Sequence, residues 1–339
     1  MHDGFVLAAA ERAPRSAPMM LDVFLTVDVE VWCDGWNDID AKFPAAFQRY
    51  MYGHTARGEY GLPYQIKVLQ AHGLTGVYFV EPLFSCRFGV EPLAEVVRML
   101  SVGGQEVQLH LHTEWVDEAR RPLLEGVQGK RQHLRYFSLQ EQIALIRAGQ
   151  RLLREAGAAS PNAFRAGSFA LNQDTLEALV ACGIYIDSSY NASMNGVASG
   201  IAPSRPILDV TRISGLHEAP MTVFHDGLGR LRHAQLTACS FSEIESLLWS
   251  SLESGRKSFV LLLHNFELLD PSMTRPDMIV VKRFHRLCEF LDRHRDSFHV
   301  RGFRDWSAPA QDGYSPMLRT PLWATGRRLI EQAYRRRLG

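Results

Sequence analysis

The chain has 339 residues, 46% hydrophobic and 22% charged, enough apolar material for a sizeable core in one large domain or two small ones. Lys plus Arg and Asp plus Glu each total 37, so no overall field selects nucleic acid or an anionic membrane as a partner. The five cysteines, Cys33, Cys86, Cys182, Cys239 and Cys288, are scattered without a CxxC pair, which argues against a disulfide framework or a thiolate zinc site and for a reducing, cytoplasmic setting.

Residues 1–20 carry a short apolar patch with no basic leader before it, so a flexible arm is expected rather than a signal segment. No apolar run approaches the length of a membrane-spanning helix. Residues 21–32, LDVFLTVDVEVW, read as a buried strand rich in Val, Phe and Thr. Alternation puts Phe24, Thr26, Asp28 and Glu30 on one face and Leu25, Val27, Val29 and Val31 on the other. One face is apolar throughout, and the other turns acidic as the strand ends. Two neighbouring carboxylates need a cation, a proton or solvent to tolerate each other.

Residues 33–64, rich in Gly, Asp, Tyr and Trp, show no clear period and read as a long loop. Beyond it, helices are expected over 62–71, 90–100, 138–157, 172–181, 241–253 and 276–293. Strands are expected over 75–80, 106–112, 162–165, 184–186, 216–219, 258–264 and 298–300. Ser138 and Glu141 stand at capping-box spacing. The strand EVQLHLH alternates strictly, with Gln108, His110 and His112 on one face. Strands alternating with helices predict a parallel sheet, open or closed, with no convincing boundary between residues 21 and 306. The Arg-rich tail, residues 307–339, is expected to end in a solvated helix packed on the domain rather than in a membrane contact.

Out-of-place polar residues recur at one position in successive units. Asp28 and Glu30 end the first strand, His110 and His112 a later one, Arg165 a third, Asp187 a fourth and His264 a fifth. In parallel α/β folds the C-terminal strand ends share one face, where sites are built. Singly, each has a structural reading: a satisfied histidine, an arginine bracing a loop, an aspartate capping the turn at Ser188 and Ser189. Recurrence of position carries the inference of one shared site. Carboxylates and imidazoles without cysteine suit zinc or another first-row divalent ion. One carboxylate binding metal leaves the other to act as a base, with Arg165 to hold it ionised. His264 is then set to donate a proton, with Asp187 to keep it protonated. These parts make a metal-dependent hydrolase of an amide or ester.

The order of the motifs TVDVE (26–30), GQEVQLHLHTEW (104–115), FRAGSF (164–169), Asp187-Ser188-Ser189 and Leu263-His264-Asn265 resembles the polysaccharide deacetylases, the NodB-like carbohydrate esterases. TGVYFVEP resembles the hydrophobic second strand of that family. The resemblance implies a distorted (β/α) barrel of about seven strands over residues 21–306 and a divalent metal, with zinc expected. It also implies removal of N-acetyl groups from amino sugars of a glycan or glycan precursor. Carried over by position, Asp28 resembles the base, Glu30 the metal carboxylate, His110 the first metal histidine, Arg165 the arginine that orients the base and His264 the acid.

Three departures stand out. The second carboxylate is Glu30, two residues after the first. No proline follows Arg165. The family's second histidine falls at Glu114, whereas strand alternation favours His112. Both Glu114 and His112 therefore stand as metal candidates, Glu114 either as a ligand or as the group orienting one. Two other readings are kept. An amidohydrolase-type barrel also binds metal through HxH, with two ions as its mark. A catalytically silent glycan-binding protein would use the aromatics Trp32, Trp36, Tyr50, Tyr52, Tyr60, Trp115 and Tyr136 of the long loops.

Overall fold

The computed structural model describes residues 20–126, 129–309 and 315–338; the arm expected over residues 1–20 lies, but for Met20, outside them. The chain opens with β1 (Leu21–Val29), α1 (Ile39–Phe47) and a ribbon of β2 (His54–Thr55) and β3 (Gly58–Glu59). It continues through α2 (Leu62–Ala71), β4 (Val77–Val80), α3 (Ser85–Phe88), α4 (Glu91–Val102) and β5 (Glu106–Leu111). Then come α5 (Leu139–Glu155), β6 (Ala163–Ala166), α6 (Gln173–Ala181) and β7 (Ile186–Asp187). Four short strands follow: β8 (Thr211–Ile213), β9 (Leu216–Glu218), β10 (Val223–His225) and β11 (Leu231–His233). The last elements are α7 (Phe241–Glu253), β12 (Ser258–His264), α8 (Met278–Arg293), β13 (Phe298–Val300), β14 (Leu318–Arg319) and α9 (Leu322–Leu338).

Local chemistry sets the helix starts. Ser138, Asn172 and Ser240 each close a capping box, the side-chain oxygen accepting the N–H three residues on. Asp277 caps α8 by accepting from the N–H groups of Ile279 and Val280. The loop expected over 33–64 is instead largely structured. Helix α1 begins after Asp38, which adopts a left-handed conformation, carries Pro44 inside and runs on as a π-helical stretch over Gln48–Tyr52. A proline and an irregular pitch erase the period that sequence pattern relies on.

Strands β12-β1-β4-β5-β6-β7-β9 form a continuous parallel run, with β8 antiparallel at its end. Strand β13 pairs the start of β1, below the stretch that β4 pairs. The sheet curls into a half-barrel, the distorted (β/α) barrel that the family resemblance implies. The segment after β9 spans the gap back to β12: Leu262 N–H donates to the Ala234 carbonyl at 3.0 Å, and Leu236 N–H to that of Leu262 at 3.0 Å. Strands β10, β11 and β14 make a small separate sheet, so the tail returns to the body before α9.

The two faces of β1 separate two cores. Leu25, Val27, Val29 and Val31 pack outward among the helices. Phe24 points into the barrel, where it joins Phe79, Val260, Leu262, Phe303 and Trp306. Phe24 stacks on Phe303 with ring centroids 4.3 Å apart. This apolar plug closes the bottom of the barrel. Thr26, Asp28 and Glu30 rise from it in steps of two residues, so strand geometry alone lifts the acids toward the C-terminal mouth.

Candidate active site

Strand register brings the polar residues together. Asp28 is paired with His264 across β1 and β12, and His110 with Arg165 across β5 and β6. A slip of one residue in either pair would turn the side chains to the helix side.

Arg165 is wholly buried, and each of its three nitrogens donates a hydrogen bond. Its Nη1 donates to Asp28 Oδ1 at 2.7 Å and to Thr26 Oγ1 at 2.9 Å. Its Nε and Nη2 donate to the carbonyl and hydroxyl of Ser188, each at 3.0 Å. The guanidinium carbon lies 4.4 Å from the Phe79 ring centroid. Hydrogen bonds and an aromatic floor thus fix the plane of the guanidinium, and the guanidinium fixes Asp28.

Glu30, just past the end of β1, faces both histidines. Its Oε1 lies 2.9 Å from His112 Nε2 and 3.3 Å from His110 Nε2, and its Oε2 accepts from Trp32 Nε1 at 2.8 Å. His110 Nδ1 lies 2.8 Å from the Arg165 carbonyl and His112 Nδ1 3.3 Å from Glu114 Oε2, so acceptors hold both outer nitrogens. Burial opposes charge on Glu30, but the neighbouring His112 charge and the two imidazole hydrogen bonds hold its carboxyl well below the usual range. Burial likewise opposes a charged His112, yet Glu30 and Glu114 together push it well above the usual imidazole range. Glu114 therefore belongs behind His112, on its outer nitrogen; the set that converges on one point is Glu30, His110 and His112.

A divalent ion fits that set. Two Nε2 atoms and a carboxylate oxygen lie within 4.8 Å of one another. Ligands held tetrahedrally about 2.0–2.1 Å from zinc stand ~3.3 Å apart, close to the 2.9 and 3.3 Å found between donors here. Acceptors on the outer nitrogens are the usual support for histidine ligands. Asp28, Glu30 and His264 form a second acidic-imidazole group that shares Glu30 with the first. A second ion there would compete with the Arg165 guanidinium already 2.7 Å from Asp28, so the geometry favours one ion over the pair expected of an amidohydrolase-type site.

His264 sits at the rim with a fifth of its side chain exposed. Its Nδ1 lies 2.9 Å from Glu267 Oε1. Burial disfavours the charged ring, but the Glu267 hydrogen bond and the charges of Glu30, Glu267 and Asp28 raise its pKa to about 9. The sequence assigns this supporting role to Asp187, and the structure corrects it. Asp187 Oδ1 accepts from Ser189 Oγ at 2.5 Å, whose oxygen in turn accepts from the Ala166 N–H. Its other neighbour is Glu218, whose carboxyl burial and the Asp187 charge push well above the ordinary range. Asp187 braces the loop behind Arg165 instead of touching His264. The partner of His264 stands three residues along its own loop, a spacing that HNFE displays but that no strand pattern flags.

Other residues, quoted in the sequence motifs but given no role there, complete the site. Asn265 accepts from the Glu30 N–H at 3.1 Å and donates to the Glu30 and Tyr50 carbonyls at 3.0 and 2.9 Å, pinning the backbone at the mouth. Glu81, directly after β4, is buried and accepts from the Leu83 N–H at 2.7 Å; burial pushes its carboxyl up to about 8. Gly167 lies against His112: a Cβ there would meet the Leu111 carbonyl oxygen at 2.7 Å and His112 Nδ1 at 2.9 Å. The two residues after it, Ser168 and Phe169, both hold left-handed backbone conformations at φ 55° and 57°. This is where the sequence lacks the expected proline.

Beside the ligand set lies a 380 Å³ cavity lined by Trp32, Trp36, Glu114 and Lys130. Trp32 meets His112 edge-on at 4.8 Å, and Lys130 Nζ caps the Trp36 ring at 3.7 Å. Of the other loop aromatics, Trp115 and Tyr50 are buried packing residues.

No protein-family model and no curated protein matches this chain. Solved structures do. A candidate polysaccharide deacetylase from Mycobacterium smegmatis superposes with a TM-score of 0.53 at 16% identity, covering 91% of this chain and 100% of that one. A family 4 carbohydrate esterase from Streptomyces lividans in complex with acetate gives 0.44 at 12% identity, covering 89% and 100%. The peptidoglycan deacetylase PdaC from Bacillus subtilis gives 0.36 at 12%, covering 95% and 99%. The first of these similarities establishes a shared fold.

Proposed function

We propose that the chain is a metal-dependent deacetylase that hydrolyses an N-acetyl group on an amino sugar of a glycan or glycan precursor. One observation carries this reading: Glu30, His110 and His112 converge on one point while the adjacent Asp28 is held separately by Arg165. A divalent ion on the three donors, zinc by the chemistry of the set, would supply Lewis-acid polarisation of the amide carbonyl and easier ionisation of water. Asp28 accepts the proton of the attacking water, its carboxylate aimed by Arg165, which Thr26 in turn anchors. His264, protonated through its hydrogen bond to Glu267, donates a proton to the departing amine nitrogen. Thr26 and Phe79 close the floor beneath Asp28, so attack comes from the mouth. The sugar ring is assigned to the cavity beside the partly buried indoles of Trp32 and Trp36.

The silent glycan-binding reading rested on Glu114 standing where a second histidine is usual. His112 supplies an imidazole nitrogen to the same point from two residues earlier, and Glu114 supports it. Acetate release from a panel of N-acetylated sugars, before and after chelation, tests the proposal. Release that chelation abolishes and zinc restores supports it. Glycan binding without release across the panel favours the silent reading.

A further inference from the structure

Helix α9 is inverted relative to an ordinary surface helix. Its inward face is ionic. Thr325 Oγ1 donates to Glu243 at 3.1 Å, Arg328 Nη2 to Asp226 at 2.7 Å, and Arg335 Nε to Asp277 at 2.5 Å, while Glu331 accepts from Arg283 at 2.5 Å. Its apolar side chains face water: Trp323 is 60% exposed, Ile330 72% and Tyr334 56%, with Leu322 and Leu329 beside them. At 100° per residue, Trp323, Ile330 and Tyr334 fall within an arc of about 40°. Arg327 lies at the edge of this stripe, and Arg336 lies beside Leu329, about 120° round the helix from Ile330; both are exposed. The helix's one acid, Glu331, lies about 60° past Tyr334 and is engaged by Arg283. The ionic bonds lock this orientation, because rolling the stripe inward would strand buried charges on both sides.

The stripe runs to a 920 Å³ cavity between the last turns of α9, the start of α8, the loop before it and the β2–β3 turn. Arg57, Lys282, Arg336, Tyr334 and Met278 line it. Its two acids are engaged, Asp270 with Arg275 and Asp277 with Arg335. Arg57, Lys282 and Arg336 have no acidic partner among the described residues.

We propose that this surface seats on an anionic phospholipid bilayer. Helix α9 lies in the plane of the membrane, with Trp323, Ile330 and Tyr334 at the boundary between headgroups and acyl chains. Arg327 and Arg336 meet lipid phosphates, and the cavity receives a headgroup phosphate through Arg57 and Lys282. Aromatic rings with polar tips beside flanking arginines are the composition this interface selects. A second copy fits less well: two stripes facing each other would oppose arginines with no acid on either to pair them. No described helix is long and apolar enough to cross a membrane, so the contact is peripheral. The sequence alone suggests only a solvated basic helix, because nothing in it tells that Arg328 and Arg335 turn inward.

The test is co-sedimentation of the full chain with vesicles of phosphatidylcholine alone and of phosphatidylcholine mixed equally with phosphatidylglycerol. Binding to the anionic vesicles only, weakened by salt, is expected. Trp323→Ala with Ile330→Ala, and separately Arg327→Glu with Arg336→Glu, should each weaken it about tenfold or more. Circular dichroism and thermal unfolding of these exposed-site variants should match the parent chain. No binding to anionic vesicles, equal binding to neutral ones, or unchanged binding in both variants overturns the proposal. So does sedimentation equilibrium that shows a dimer dissolved by Ile330→Ala, which would give the stripe to a second copy.

Discussion

His264 Nδ1 lies 2.9 Å from Glu267 Oε1, and this pair sets how the site responds to pH. The raised pKa of about 9 keeps the ring protonated through neutral pH, as a proton donor requires. The alkaline limb of acetate release should therefore fall near pH 9. Glu267→Gln removes the carboxylate charge and should bring that limb down toward the ordinary imidazole range. The same pair bears on stability. A folded-state pKa above the unfolded value contributes stability that is complete below the unfolded pKa and is lost as pH rises through the folded one. Thermal melts of parent and Glu267→Gln should thus differ most below about pH 6.5 and converge above about pH 9. Coincident pH–rate profiles would remove Glu267 from this role.

Arg165 to Asp28 is a buried pair in which each charge depends on the other. Arg165→Ala strands the Asp28 carboxylate and should destabilise the chain by ~3–5 kcal/mol, measured by denaturant unfolding. Arg165→Lys keeps a cation but lacks the fork that spans Asp28, Thr26 and Ser188. It should fold and lose most of kcat with KM little changed, since it misplaces a base without touching the sugar cavity. An unaltered kcat in Arg165→Lys would show that Asp28 needs no such positioning.

Gly167 is a close-approach glycine beside His112. Gly167→Ala drives a methyl to within 3 Å of both the Leu111 carbonyl and the His112 ring, so the ring must turn away from Glu30. Zinc affinity should fall about 10–100-fold, the usual range for disturbing a ligand's support. Glu114→Gln, which weakens the acceptor on the other ring nitrogen, should act in the same direction and less strongly. Calorimetric titration with zinc reads both.

Much of this architecture is legible in the residues. Alternation in LDVFLTVDVEVW assigns Phe24 to the barrel interior and Val27 to the helix side, because a strand buried on both faces still obeys a period of two. Alternation in EVQLHLH likewise places His112 beside His110, which a motif spacing of four residues would have missed. Capping chemistry marks where α5 and α7 begin. Three-residue strands such as β10 and β11 are too short to show a period. The Glu267 contact depends on how a loop folds back on its own strand end. The bracing of Asp187 by Glu218 depends on which strands lie side by side, which no local pattern encodes.

Because His112 carries its proton between Glu30 and Glu114, a cation on the three donors must displace that proton, and zinc affinity should fall as pH drops. Equilibrium dialysis of chelator-treated protein against zinc across neutral and acidic pH checks this sign. Affinity that does not change with pH would place the ion elsewhere.

The shared site is tested most directly by calorimetric zinc titration of chelator-treated parent, His110→Ala and Asp28→Asn proteins. The expected result is one zinc per parent chain, loss of binding in His110→Ala, and binding kept without acetate release in Asp28→Asn. Equal zinc binding in the parent and His110→Ala would contradict a metal centre at Glu30, His110 and His112.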